Sequence, residues 1–518
     1  MKKRLPVLLL ALVMALSFCL GVFGCKDKKP KLVVWSMSNE IEDLLKYYTL
    51  ANPGFEYEFD TRIINNDDGS YETNLDNAFS TKGGPDLFVT DVDYTKKYVE
   101  SDYTVDLTSF YKTKFGLGKD AGYDEVREQL EVDMYGYTLD IGSKVTADKT
   151  ELKAVSYQVT PGAMFYRADL FLELVNAGDF IPDEENPGQY LTFDEFKGKA
   201  GIKDENAKYN NYTQWTDEDK EALDKYVQKF VSGDRDEGKT ENEQFLDAMN
   251  KFLDAAERVA NSKYNEGKKD VKKIMIINNL EDIKRVFYAQ RSAFVEDNKV
   301  HIDSNLVYFL DYAKQLYPLT HKGAQWSADW QAGMRAINNP DTSYKTLSFF
   351  LPTWGLFYVL NKVDENNEPN KTAGLWRMIE GPQAYYWGGS YLMINKNSKK
   401  QDVAFQVLDF LTSLPFMQAR SAISGDVMNS KELNNALAGM KLLGNPFLAG
   451  QNHFYTFNSL AGQIKASNVT MYDSAVDRVY SDIMRRYADN TIKTKDDAWK
   501  EFTDSIKSNL AMEVQIDK

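Results

Sequence analysis

Two acids one residue apart, Asp91 and Asp93, close the apolar run Asp86-Leu87-Phe88-Val89-Thr90. A carboxylate at a strand end accepts hydrogen bonds from hydroxyls or attracts a cation. The histidines, at positions 301, 321 and 453, share no ligand-like spacing with these acids or with one another, so no metal site is assigned. Gly233 to Thr240 matches the phosphate-binding pattern G-x-x-x-x-G-K-[ST] letter for letter. That loop works when it follows a strand and its backbone N–H groups cradle phosphate. Here a helical pattern precedes it, and Asp234, Asp236 and Glu237 would place negative charge in the cradle, so it reads as a solvated loop. No nucleophile elbow, zinc-protease pair or calcium-loop spacing occurs, and neither a catalytic residue nor a cofactor is assigned. Carboxylate pairs for glycoside hydrolysis depend on a spatial separation that sequence does not display.

The aromatic residues say more. Tyr, Phe and Trp make up 13% of the chain, and Trp35, Trp326, Trp330, Trp354 and Trp387 fall in loops instead of on helical stripes. An indole offers a broad apolar face with a polar edge, which complements a sugar ring with its C–H faces and hydroxyl rim. Asp91, Asp93, Gln158 and Asn39 supply acids and amides suited to those hydroxyls. Trp387 lies in Tyr385-Tyr386-Trp387-Gly388-Gly389-Ser390-Tyr391, where the glycine pair lets the backbone bend close to a ligand.

The elements that must hold these residues follow from periodicity. Leu32-Val33-Val34-Trp35 reads as a buried strand, and Ile41, Leu44, Leu45 and Tyr48 as a helix face behind it. Phe55, Tyr57 and Phe59 alternate with acids as a half-buried strand. Tyr71, Leu75, Ala78 and Phe79 form a second helix face, and residues 86–90 a third strand. Strand, helix, strand, helix, strand predicts an α/β lobe with a mostly parallel sheet. Ligands of such sheets lie beyond the strand ends, which nominates Trp35, Ser36, Asn39, Asp91, Asp93 and Tyr94. Residues 111–150 carry no clear pattern. Residues 154–166 are strand-like, interrupted by Pro161-Gly162, and long helical stripes follow. Leu347 to Leu351 and Phe357 to Leu360 return to strand character around Trp354. Ser398 and Gln401 have the capping-box spacing, ahead of a helix stripe of Ala404, Val407, Leu408, Leu411 and Leu414. The tail reads as two more helices, through Val476, Val479, Tyr480, Ile483 and Met484 and through Ala498, Trp499, Phe502 and Ile506.

Residues 1–24 have the form of an export signal: Lys2, Lys3 and Arg4, then the apolar run Leu5 to Val22, then Gly24 before Cys25. Val22-Phe23-Gly24-Cys25 resembles the lipobox of bacterial lipoproteins, which implies lipidation of Cys25 and a spacer over 25–30. The only other cysteine is Cys19, so no disulfide is expected and a core must supply stability. At 518 residues the chain needs at least two lobes. Its formal charge is −15, or −18 once the three leader cations are removed, which excludes nucleic acid as a partner.

Taken in order, these features resemble the extracellular solute-binding proteins, family 1, that serve carbohydrate ABC transporters. The resemblance rests on the lipobox, the strand Leu32–Trp35 and Gly84-Pro85-Asp86-Leu87-Phe88. It also rests on Pro161-Gly162-Ala163-Met164-Phe165-Tyr166-Arg167-Ala168-Asp169-Leu170-Phe171, Leu347 to Trp354, Trp387-Gly388-Gly389-Ser390 and Gly425-Asp426-Val427-Met428-Asn429. Tyr157-Gln158 stands where many relatives have Gly-x-Pro, and the helical region from about 200 to 340 is long. The resemblance implies a two-lobed, periplasmic-binding-protein-like α/β fold of type II, with hinge strands and a ligand cleft between the lobes. Lobe one would hold 31–140 plus 385–424, and lobe two 150–384 plus 425–518. The implied ligand contacts are Trp35, Ser36, Asn39, Asp91, Asp93, Gln158, Trp354, Tyr386, Trp387 and Gly388. The implied partners are a carbohydrate, ABC permease subunits and the membrane through the lipid at Cys25. A monomer located outside the cytoplasm, binding without bond-breaking chemistry, is expected. A secreted glycan-active enzyme and a lipoprotein for a non-sugar solute are the alternatives.

Overall fold

A computed structural model describes residues 29–66, 69–269, 272–335, 345–365, 371–440 and 442–517. The leader 1–24 and the lipidation position Cys25 lie outside the described residues. Two β-sheets organise the chain. The first runs in the order β2-β1-β3-β9-β4, with β1 Lys31–Ser36, β2 Glu58–Ile63, β3 Leu87–Asp91, β4 Val155–Ser156 and β9 Ser390–Ile394. β1 is parallel to both β2 and β3, whereas β9 is antiparallel to β3 and to β4. Helices α1 Glu40–Ala51, α2 Ser70–Ser80 and α3 Val92–Glu100 follow β1, β2 and β3. The stripe Ile41, Leu44, Leu45 and Tyr48 is buried, as are Tyr71, Leu75 and Phe79. Leu32 and Val34 of β1 face one apolar cluster, which also holds Leu392 and Val407; Phe88 of β3 faces the other. Both faces of this sheet are therefore covered, as a sheet with parallel strands requires.

In the second sheet, β5 Pro161–Arg167 is central and fully buried. β6 Ser348–Pro352, β7 Trp376–Ile379 and β8 Tyr385–Tyr386 all pair with it antiparallel. Around it pack helices, among them α4 Asp217–Ser232, α5 Glu241–Ala260 and the shorter α6 Glu281–Tyr288. The chain ends in α9 Asp473–Ala488, α10 Lys495–Leu510 and a strand Glu513–Ile516 that pairs in parallel with Lys299–Ile302.

Three passages join the two sheets, and they run side by side. Tyr157 to Thr160 connects β4 to β5, and Val427 to Asn429 lies against it through Val159 N–H to Val427 O (3.1 Å) and Asn429 N–H to Tyr157 O (3.0 Å). Trp387 to Gly389 connects β8 to β9, with Trp387 N–H donating to Thr160 O at 3.1 Å and the Thr160 hydroxyl to Gly388 O at 2.6 Å. The third passage therefore leaves the second sheet only after Tyr386.

Three sequence expectations are corrected. Phe357 to Leu360 is helical, in the π-helical turn Leu356–Leu360, and not a strand. Pro352 closes β6, and the buried residues Leu356, Val359 and Leu360 have helical spacing. The Ser398/Gln401 capping box does not form: α7 Gln401–Leu411 has no side-chain cap. Ser398 instead donates to Asp86 Oδ1 at 2.6 Å. Asp86 Oδ2 also accepts from Val33 N–H (2.8 Å) and Lys400 Nζ (2.9 Å), so this buried carboxylate ties the loop after β9 to β1. Leu414 is not on the α7 stripe but opens α8 Leu414–Ser424, where Pro415 suits the first turn. Gly233 to Thr240 is the loop between α4 and α5; Lys239 pairs with Asp247 at 2.6 Å, and Thr240 and Glu243 form the capping box of α5.

Candidate functional site

The junction of the sheets gathers six of the ten nominated residues. Asp91 ends β3 and caps α3, its Oδ1 accepting from Asp93 N–H at 3.0 Å. Gly388, with φ +72°, lies against it. The position of a Cβ on Gly388 would fall 3.4 Å from Asp91 Oδ2 and 2.9 Å from Trp354 Nε1, so only glycine fits this bend. Trp354 lies two residues past the end of β6 and donates its indole N–H to Trp387 O at 3.1 Å. The Trp354 and Trp387 rings meet edge-on with centroids 5.3 Å apart. Tyr386 stacks on Tyr137 at 6.0 Å. Asp93, the second residue of α3, forms a two-pronged ion pair with Arg285 of α6 at 3.2 and 3.1 Å. This pair links the helix that follows β3 to a helix packed on β6 and β8.

Trp326 completes the cluster. It stacks on Trp354 at 5.9 Å with ring planes 17° apart, meets Trp387 edge-on at 5.9 Å and touches Trp330 at 5.2 Å. It is also 51% exposed and sits at φ +70°. A bulky residue rarely adopts that backbone, which costs about 1–3 kcal/mol and persists only where surroundings enforce it. An exposed indole is thus held in a strained loop against two others.

Charge is unevenly satisfied here. Burial, together with the Asp93 carboxylate, pushes Asp91 up to about 7; its own backbone bond to Asp93 and the Arg285 charge oppose this. Burial likewise pushes Asp282 of α6 up to about 7, although it accepts from Trp330 Nε1 at 3.0 Å. The Arg285 guanidinium lies over the Trp387 ring at 4.9 Å, a cation–π contact. A cavity of about 90 Å³ continues from this point, lined by Asp93, Arg285, Arg291, Phe294, Tyr386 and Asp473 among others. Arg291 and Asp473 pair with each other across it. A second bridge between the sheets lies near the passages: Arg420 donates to Glu40 (2.8 Å) and to the Tyr358 hydroxyl (3.3 Å), and Tyr157 donates to Glu40 (2.8 Å). Burial and then Glu40 push Asp426 beside it up to about 7.

The other four nominated residues lie apart from the cluster. Trp35 is partly buried on β1 beneath Arg62, whose guanidinium is 4.7 Å from its ring. Ser36 is buried and accepts from Ser38 N–H. Asn39 is exposed at the start of α1. Gln158 is buried in the first passage and donates to the Ser390 hydroxyl at 3.2 Å. Among the residues not nominated, Trp326 and Trp330 had a signal, as tryptophans off any helical stripe. Arg285 and Arg291 had none, because Arg285 reads as an ordinary polar position on an amphipathic helix. Among the described residues, no group of three or more His, Cys, Asp or Glu is placed to hold a metal ion. The three histidines have separate partners: His301 faces Asp517, His321 faces Lys345 O and His453 faces Gly425 O.

No family model and no curated protein matches the sequence. Solved structures match the fold along nearly all of it. An extracellular solute-binding protein of family 1 superposes with a TM-score of 0.60 at 15% identity, covering 92% of this chain and 99% of that one. The sugar-binding protein MalE of Xanthomonas citri gives 0.57 at 15% identity, covering 93% and 97%. An ABC-transporter-associated binding protein of B. animalis subsp. lactis, in complex with β-1,6-galactobiose, gives 0.56 at 14% identity, covering 94% and 100%. No helix among the described residues is long and apolar enough to cross a membrane. Two sheets, three adjacent passages and an aromatic cluster at their junction thus make up the two-lobed fold of the extracellular solute-binding proteins.

Proposed function

We propose that this chain is the solute-binding component of an ABC importer, located outside the cytoplasm, that captures a carbohydrate by closure of its two lobes. The observation that carries the reading is the convergence of Trp326, Trp354 and Trp387 with Asp91 at the lobe junction. Indole faces suit the C–H faces of a sugar. Ligand contacts made from both lobes favour the closed form, which a permease then reads. Lobe one comprises the β1–β4 strands, β9 and their helices, and lobe two the remainder, with the boundaries inside the three passages. Binding as a monomer, with Cys25 lipidated and anchoring the chain to the bacterial membrane, completes the reading. The galactobiose held by the B. animalis neighbour supports carbohydrate as the ligand class.

A ligand at a hundred times its dissociation constant stabilises a fold by about 2.7 kcal/mol. A thermal-shift screen over mono- and oligosaccharides is expected to give one or a few clear stabilisers. Stabilisation by peptides or metal chelates alone would remove the sugar and keep the binding protein. A glycan-active enzyme is the rival, favoured by a carboxyl group, Asp91, held near neutrality beside a second acid. Against it, both oxygens of Asp93 are engaged by Arg285. New reducing ends on incubation with the best-binding oligosaccharide would decide for the enzyme.

A further inference from the structure

The polar groups around the tryptophan cluster are mostly engaged within the protein. The Trp354 indole N–H donates to Trp387 O and the Thr160 hydroxyl to Gly388 O. Arg285 holds both oxygens of Asp93. Among the described residues, Asp91 Oδ2 lies beside Gly388 and the Trp354 indole with no hydrogen bond assigned to it, next to the indole faces. A neutral sugar rim needs donors as well as acceptors from its site. Asp91 in its charged form only accepts, and a carboxylate set beside indole rings attracts a cation whose charge in turn favours that form.

The protein already uses this surface once, since the Arg285 guanidinium lies over Trp387 while pairing with Asp93. That leaves Asp93 with a cationic partner and Asp91 with no ion pair of its own among the described residues; burial, reinforced by the Asp93 carboxylate, raises Asp91. A ligand ammonium seated between Asp91 and the Trp326–Trp354 pair would supply the missing positive charge. We propose that the ligand presents a positively charged amino group to Asp91 within the Trp326, Trp354 and Trp387 cluster, so that the captured carbohydrate is an amino sugar. The carbohydrate part of this statement rests on the function proposed above; the ammonium part rests on the cluster alone.

The test is calorimetric titration of the full chain with matched ligands. Cellotetraose, its amino counterpart (chitotetraose) and its N-acetyl counterpart (tetra-N-acetylchitotetraose) differ only at the 2-position; glucose and galactose with their amino and N-acetyl derivatives extend the set. Spermidine and choline serve as amines without a sugar. The expected result is an amino member binding about tenfold or more tighter than both of its partners. Asp91→Asn, which keeps the helix cap, should abolish that preference. A hydroxyl or N-acetyl member that binds as well as the amino member overturns the inference and leaves the carbohydrate reading standing. Binding of spermidine or choline with no binding of any sugar upholds the ammonium site and overturns the carbohydrate. Binding of none of these probes overturns both.

Discussion

On the reading proposed above, with this structure taken as the closed form, replacing Arg285 with alanine removes two contacts at the lobe junction. One is the two-pronged pair with Asp93 at 3.1 and 3.2 Å, and the other is the guanidinium over Trp387 at 4.9 Å. The Asp93 side chain is 46% exposed, so water screens the pair and its contribution is about 0.5–1 kcal/mol. The cation–π contact adds about 0.5–1 kcal/mol. Together these are about 1–2 kcal/mol, which lowers the closed-to-open ratio by about 5- to 30-fold. Because only the closed form makes the full set of ligand contacts, the apparent Kd rises by the same factor where the open form predominates without ligand. Asp93→Asn loses only the first contact and is expected to weaken binding about 2- to 5-fold. Calorimetry gives the Kd of each variant, and small-angle scattering reports the change in dimensions without ligand. An Arg285→Ala protein with unchanged affinity and unchanged dimensions would refute the assignment of this pair as a closure contact.

Trp326→Gly relieves a left-handed backbone that tryptophan tolerates poorly, so chemical denaturation is expected to show about 1 kcal/mol of added stability while ligand affinity falls; a loss of stability with unchanged affinity would place the ring in the core. Gly388→Ala forces a Cβ to within 2.9 Å of Trp354 Nε1 at φ +72°, and is expected to lower stability by about 1–3 kcal/mol and to blunt the fluorescence change on ligand binding. Asp91, Asp282 and Asp426 are all held at about 7, above the usual carboxylate range, by burial. Protonation therefore favours the folded state, and this stability, complete below about pH 4, is lost as pH rises through 7. Burial lowers His453 to about 4, so its contribution is present above about pH 6.5 and lost as pH falls through 4. Between pH 6.5 and 8, where His453 contributes no change, urea midpoints are expected to fall. Asp282→Asn, still able to accept from Trp330 and Gln325, should flatten that slope; an identical slope in the variant would contradict it.

Local patterns carried much of the first lobe. The β1 run, the α1 and α2 stripes and residues 87–91 depend on alternation and 3.6-residue spacing within a few turns, and each formed as expected. Residues 111–150 had no readable pattern because the helices that run through them, Thr108–Lys114, Tyr123–Glu131 and Gly136–Gly142, are too short to repeat a buried stripe. Phe357 to Leu360 misled because a short apolar run fits either period. Ser398 misled because a capping spacing does not reveal that Asp86, 312 residues away, claims the hydroxyl.

The candidate site divides the same way. Sequence alone singled out the loop tryptophans, the Gly388-Gly389 bend and the acids after β3, because residue type and immediate neighbours suffice to mark them. Only the tertiary structure decided that Trp326, Trp354 and Trp387 meet while Trp35 stays on its own strand beneath Arg62. It likewise decided that Arg285, 192 residues from Asp93, closes the pair across the junction. Those contacts depend on how two sheets pack through three adjacent passages, a long-range arrangement that no window of neighbouring residues contains.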